Sequence, residues 1–264
     1  MMDNVIDNTI YPLKAQEIEA KDKRRMGLGI TGLANVCEVL GLPYGSKEMI
    51  TFMKKVLILL RNETYKTSAQ IASEKGPFPA YSSRYLSGEF FCTLPKDIQE
   101  LIRNNGIRNS HLLSIAPTGT ISLFAGNISS GIEPPFSLKY KRRTIMPDNS
   151  IHWWDVYDYA YDQWGVKGKT SGDLTAQEHI DVLVEASKLV DSACSKTCNV
   201  GNNVSFEEFK NLYLDAYYGG ASGCTTFRPA SIETRGEVMK AMPEVNEGEA
   251  CFIDPVTGER SCAD

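Results

Sequence analysis

The chain has 264 residues, 42% of them apolar, with 28 Lys+Arg against 33 Asp+Glu and a net charge of −5. A chain of this length buries roughly 70–75% of its unfolded surface, so a small scaffold stapled by disulfides or metals is excluded, and the irregularly spaced cysteines read as reduced thiols. Eight acids and three bases fall in 229–264, which leaves 1–228 neutral and without the basic footprint of a duplex-binding protein. The longest plain apolar run, Val56 to Leu60, is far short of the ~20 residues that span a bilayer. Met1-Met2-Asp3-Asn4 carries no basic-then-apolar leader, so the expectation is a cytoplasmic protein with no membrane and no direct nucleic-acid partner.

Met1 to Lys23 is polar and then highly charged, and predicts a loop entering a helix. Ser46 is a candidate N-cap for a long helix in which Met49, Met53, Val56, Leu60, Thr64, Thr67 and Ile71 recur every three or four residues until Gly76-Pro77 stops it. A shorter helix is predicted over Lys96 to Arg103, ending near Gly106. From Leu112 to Phe136 charge almost vanishes while Gly, Ser, Thr and Pro accumulate, which predicts a buried strand and a tightly folded loop system. Asp148 to Gly168 holds all the tryptophans, Trp153, Trp154 and Trp164, and reads as aromatic packing or a partner-facing patch. Thr175-Ala-Gln-Glu178 and Ser205-Phe-Glu-Glu208 are capping-box patterns that predict helices over 176–195 and 206–218, the second closed by Gly219-Gly220. Cys224 to Phe227 is a β-prone run before Pro229 opens the acidic tail. Helices and strands so mixed predict an α/β body.

Gly27-Leu28-Gly29-Ile30-Thr31-Gly32 has the spacing of a dinucleotide fingerprint. That motif needs an apolar strand ahead of it, and Lys21 to Met26 is charged, so close backbone packing at a helix entrance is the reading taken. Ala116-Pro117-Thr118-Gly119-Thr120-Ile121-Ser122 joins a glycine to three hydroxyls after an apolar run. Such a turn can aim N–H and Oγ donors at a phosphate, or it can be a structural Ser/Thr turn; without Gly-Lys-Ser/Thr it is no P-loop. Cys37 and Cys92 read as packing residues. Cys194 and Cys198, four apart, could share a helical face as half a metal site, but His111, His152 and His179 lack ligand spacing, and no metal is expected. Lys139, Lys141, Arg142 and Arg143 read as a solvated strand end, with phosphate or partner binding as the alternative. Cys251 and Cys262 flank a turn-forming segment, Asp254 to Gly258, that could bring them together as a reversible disulfide; a terminal metal knuckle or two incidental thiols are the alternatives.

Taken in order, Arg24-Arg25-Met26-Gly27-Leu28-Gly29-Ile30-Thr31-Gly32-Leu33, Leu42-Pro43-Tyr44-Gly45-Ser46, Glu74-Lys75-Gly76-Pro77-Phe78, Ala116 to Ser122 and Ser130-Gly131-Ile132-Glu133-Pro134-Pro135-Phe136 resemble the C-terminal half of the ribonucleotide reductase catalytic subunit. Ser195-Lys196-Thr197 and Gly223-Cys224-Thr225-Thr226-Phe227-Arg228 extend the likeness over almost the whole chain, and the Ala-Pro-Thr-Gly-Thr-Ile-Ser form resembles the adenosylcobalamin-dependent branch. The resemblance implies the second half of a ten-stranded α/β barrel over 1–228 and a flexible acidic redox tail over 229–264. It implies that Pro117, Thr118, Gly119, Thr120, Ile121 and Ser122 hold the phosphates of a ribonucleotide substrate. It also implies that Cys251 and Cys262 pass electrons from thioredoxin or glutaredoxin to the active-site disulfide, although they lie further apart than the close pairs common in the family.

The family's Asn-x-Cys-x-Glu finger loop supplies a thiyl radical and a base, and this chain has no such motif. Asn35-Val36-Cys37-Glu38-Val39 comes near it but places valine where glutamate is required. No catalytic residue is therefore expected here. The radical Cys and the Glu are expected upstream, in an N-terminal reductase chain, and this chain, as a split subunit or a divided piece, is expected to be inactive alone. Thr226-Phe227 stands where the diiron class carries paired tyrosines, and no glycyl-radical motif is visible, so adenosylcobalamin is the implied cofactor of the assembled enzyme. The alternative is a non-catalytic nucleotide-binding module that has lost the radical half.

Overall fold

The structure is a computed structural model that describes residues 1–201 and 204–228, with the backbone of three short strands at 239–241, 251–253 and 260–262. The N-terminal residues form two helices, α1 (Met2–Asn8) and α2 (Lys14–Lys23), where the charge pattern predicts a loop entering a helix. Neither depends on an apolar stripe, and α2 buries no residue. The buried guanidinium of Arg24 holds the segment instead, reaching Asp3 at 2.8 Å and Asp7 at 2.7 Å. Asp3 is also bound by Arg108 and Asn109, each at 3.1 Å, so its buried charge is compensated from 100 residues away in sequence.

After α3 (Leu33–Val39) the chain enters α4 (Lys47–Lys75), whose N-cap Ser46 accepts the Met49 N–H at 3.1 Å and whose end is set by Gly76 at φ +79°. Its buried face is Met49, Met53, Leu57, Arg61, Thr64, Tyr65, Ser68, Ala69 and Ala72. The expected stripe drifts off this face: Val56, Leu60 and Ile71 are half-buried and Thr67 is exposed. Ser68 binds Asn109 at 3.0 Å, and the Tyr65 hydroxyl donates to Asp191 at 2.6 Å, which satisfies two polar members of the true face. Short α5 (Glu89–Cys92) leads to α6 (Lys96–Asn105), which ends at Gly106 and packs on α4. Cys92 is exposed, against the packing role expected of it, whereas Cys37 is fully buried.

α7 (Gly119–Phe124) precedes an antiparallel hairpin, β1 (Lys139–Ile145) and β2 (Ile151–Tyr157), with α8 (Tyr159–Trp164) after it. Trp153 and Trp154 on β2 are 44% and 50% exposed, so the aromatic segment is a surface rather than core packing. Both capping boxes form, at the starts of α9 (Ala176–Ser187) and, beyond β3 (Thr197–Asn199), of α10 (Phe206–Gly219). α9 is eight residues shorter than its pattern predicts. The apolar Leu189 and Val190 that prolong the pattern are buried after the helix has ended, as the chain turns into an extended segment. Cys194 and Cys198 therefore lie on extended chain and share no helical face.

The frame beneath the site is parallel. Leu28 bridges Leu113, Ile115 bridges Cys194, and β3 pairs with β4 (Thr225–Phe227), all in the same sense. Segments 26–28, 112–115, 192–199 and 225–227 thus run side by side, backed by α4, α9 and α10 through Met53, Leu57, Ile180, Leu183 and Leu212. Asp191 locks the second segment by accepting the Leu112 and Leu113 N–H groups at 2.7 and 2.8 Å. β5 (Met239–Ala241) adds to β1, and β6 (Cys251–Ile253) pairs with β7 (Arg260–Cys262); the remainder of the tail expected over 229–264 lies outside the described residues. Among the described residues no helix is long and apolar enough to cross a membrane.

Candidate functional site

In open parallel α/β sheets, ligands bind beyond the carboxyl ends of the strands. Here those ends carry Gly29 to Gly32, Pro117 to Ser122, Asn199 and Phe227. Gly27 and Gly29 permit the first contact: a Cβ on Gly27 would sit 2.3 Å from Ser114 Oγ, and one on Gly29 would sit 2.2 Å from Ser114 O. The fingerprint-like glycines are therefore a close-packing device under the loop.

Thr31 carries that packing into the site. Its hydroxyl donates to Ser129 O at 2.9 Å and lies 3.0 Å from Thr118 Oγ1, which in turn accepts the Gly131 N–H at 2.7 Å. Thr118 adopts φ +50°, a left-handed conformation that lets the chain turn sharply into α7. A Cβ on Gly131 would meet Ala116 O at 2.8 Å, so the 116–119 turn and the 129–131 loop are seated against each other. Ser129 Oγ also accepts the N–H groups of Ala34 and Asn35, which satisfies the start of α3.

Above this clamp lies a cavity of about 520 Å³, within the range of small-molecule sites. Gly119, Thr120 and Ser122 line it. Thr118 is turned inward as a brace, and Pro117 and Ile121 are exposed beside the cavity without lining it. Ser122 Oγ donates to Gly119 O at 2.8 Å and lies 3.0 Å from Ser130 Oγ, so a hydroxyl of α7 and one of the 129–131 loop meet at the cavity wall. Thr197 and Asn199 of β3 complete one wall and Arg142 of β1 another. Arg142 was expected to be solvated; the hairpin brings it to the cavity because Tyr140 donates to Asn127 Oδ1 at 3.1 Å and the Asn127 amide reaches Tyr157 O at 2.6 Å.

Glu133 borders the cavity but is engaged behind it. Its carboxylate accepts from Lys196 Nζ at 2.9 Å and from the Thr197 N–H. Lys196 is fully buried and also contacts His179 Nδ1 at 3.0 Å and Thr197 O at 2.9 Å, under the ring of Tyr44. Burial, and then the ammonium beside it, push His179 down to about 4, so this imidazole is neutral and accepts from Lys196. The cluster fastens the Glu133 loop to β3.

The near-motif of the finger loop lies apart from the cavity. Asn35, Cys37 and Glu38 are buried in α3; burial pushes the Cys37 thiol up to about 11, with the Glu38 charge adding to it. Cys251 and Cys262 stand opposite one another in the β6–β7 register. Sequence reasoning missed Ser130, Thr197 and Asn199 as cavity residues and kept phosphate or partner binding by Arg142 as the alternative to a solvated strand end. For Ser130 and Thr197, the signal lay in Ser130 to Phe136 and Ser195-Lys196-Thr197, already part of the resemblance.

Comparison with known proteins identifies the family of the chain. Residues 1–152 and 144–227 match the family described as "Ribonucleotide reductase, barrel domain", and the chain belongs to that family. Similar proteins are the "Vitamin B12-dependent ribonucleoside-diphosphate reductase" of Mycobacterium tuberculosis, 26% identical over 99% of this chain and 39% of its own length, and the protein of the same name from Thermoplasma acidophilum, 26% identical over 93% and 34%. The "Ribonucleoside-diphosphate reductase subunit alpha" of Treponema pallidum is 31% identical over 88% of this chain and 28% of its own length. The chain thus spans between about a quarter and two fifths of these relatives.

Proposed function

We propose that this chain is the C-terminal part of a ribonucleotide reductase barrel, its fold the second half of the ten-stranded family barrel, and that its cavity holds the phosphates of a ribonucleoside di- or triphosphate. The observation that carries the reading is the convergence on one cavity of Gly119, Thr120 and Ser122 with Ser130 and the cation Arg142. Pro117, Thr118 and Ile121 shape the turn. Neutral N–H and hydroxyl donors suit a phosphate that must bind and then leave, and one arginine supplies counter-charge without trapping the product.

The reduction itself requires an N-terminal reductase chain carrying the radical cysteine and its glutamate. Support for such a neighbour comes from apolar side chains exposed around the cavity, Phe124 at 94% and Ile121 at 60%. Adenosylcobalamin, suggested by the B12-dependent relatives, would supply the radical chemistry of the assembled enzyme. No residue described here is assigned to holding it. Cys251 and Cys262 take the role of tail thiols that accept electrons from thioredoxin or glutaredoxin.

The test is reconstitution. This chain is mixed with an N-terminal chain containing Asn-x-Cys-x-Glu, adenosylcobalamin, a ribonucleotide and dithiothreitol, and deoxynucleotide is the expected product. A folded complex that makes none would refute the enzymatic reading and leave a nucleotide-binding module.

A further inference from the structure

Cys198 and Cys224 lie 26 positions apart in sequence, yet their sulfurs are 4.0 Å apart. In the parallel β3–β4 register Cys198 stands opposite Thr226, and residues two apart on a strand share a face, so Cys224 falls on the Cys198 side. Thr197 and Asn199 on either side of Cys198 line the cavity, which places the two thiols on the reverse face of that wall. Cys198 is fully buried and Cys224 half-buried, so one sulfur is screened while the other can be reached.

The electrostatics favour reaction at the reachable sulfur. Hydrogen bonding to Cys198 lowers the Cys224 thiol against the opposing effect of burial, and the Lys196 ammonium adds to the lowering. Cys198 is pushed up by the same contact and by burial. A thiol made more acidic beside a second thiol held protonated is the arrangement needed for thiol–disulfide exchange. Cys37 and Cys194 are each held up at about 11 by burial and lack that activation.

We propose that Cys198 and Cys224 form a reversible redox pair, a disulfide-forming site for small-molecule or protein disulfides. The Cys224 thiolate attacks one sulfur of an incoming disulfide, forming a mixed disulfide and releasing the first thiolate. Cys198 loses its proton to that thiolate and attacks Cys224 Sγ, forming the intrachain bond and releasing the second. The pair gives up two electrons and the Cys198 proton; the second thiolate released takes its proton from solvent, so two molecules of reduced thiol result. A disulfide bond is about 2.0 Å long, so the sulfurs must close by about 2 Å. Cys224 lies just before β4 and after Gly223, where an added Cβ would meet nothing within 4 Å, so the approach falls on a loosely packed turn. The inference is independent of what the cavity binds.

The reduced chain is incubated at pH 7 with glutathione disulfide, quenched in acid, alkylated and digested for mass spectrometry. The expected product is a peptide pair joined through Cys198 and Cys224 that reverses with reduced glutathione. In Cys198→Ser, the expected product is a persistent Cys224–glutathione adduct. A stable glutathione adduct at Cys224 in the unsubstituted chain, two unreacted thiols, or a bond from either cysteine to Cys251 or Cys262 would overturn the proposal. The first measurement needs no variant, so poor folding of Cys198→Ser does not weaken it.

Discussion

Glu38→Gln should stabilise the protein, and only at neutral and alkaline pH. Glu38 is 7% exposed, its Oε2 accepts from Asn35 Nδ2 at 3.2 Å, and its Oε1 is a buried atom without a hydrogen-bond partner. Burial, and then the charge of Asp158, push its carboxyl up from 4.5 to about 7. Between those values the folded protein keeps a proton that the unfolded chain has released, so stability falls as pH rises through the window. The full penalty is reached above pH 7 and vanishes below about 4.5. Each unit corresponds to about 1.4 kcal/mol, which makes the cost on the order of 3 kcal/mol. Glutamine cannot ionise, and below pH 4.5 it is compared with a protonated glutamate of the same shape. Urea unfolding of both proteins from pH 4.5 to 8 should therefore show a small difference at the acid end and a gain of about 3 kcal/mol for Glu38→Gln at pH 8. His179, held near 4, imposes the opposite slope on both proteins and cancels in the difference. A variant less stable than the parent at pH 8, or a difference that does not change with pH, would refute the reasoning.

Lys196→Met should cost about 3–5 kcal/mol in urea unfolding, because it leaves the Glu133 carboxylate without its buried ammonium; pairing it with Glu133→Gln should recover part of the loss in a double-mutant cycle. Gly29→Ala should destabilise by about 1–3 kcal/mol, since its Cβ would lie 2.2 Å from Ser114 O, whereas Gly201→Ala, with nothing within 4 Å, should change the melting temperature little. In the reconstituted enzyme, Cys251→Ser should abolish turnover supported by thioredoxin and spare turnover supported by dithiothreitol; equal loss with both would remove Cys251 from the shuttle role.

Features written in local sequence were legible. Ser46 and Gly76 bound α4, and the Thr175–Glu178 and Ser205–Glu208 boxes start α9 and α10, because caps are decided within four residues. What misled were interactions over long separations. The N-terminal helices rest on Arg24 meeting Asp3 and Asp7, which no periodicity reveals. The buried face of α4 includes Arg61 and Ser68, polar residues that pattern reading leaves off the stripe until Asn109 is seen beside Ser68. The same holds for the cavity. Gly119, Thr120 and Ser122 were legible from residue type in one turn, but Ser130, Arg142, Thr197 and Asn199 come from a loop and two strands that only the tertiary fold assembles.

The most direct test is a titration of the isotopically labelled chain with a ribonucleoside diphosphate, followed by amide chemical shifts. The account predicts saturable changes at Gly119, Thr120, Ser122 and Ser130, weakened by Arg142→Ala. Saturable changes confined to Gly27 to Gly32, or none at any of these residues at millimolar nucleotide, would contradict it.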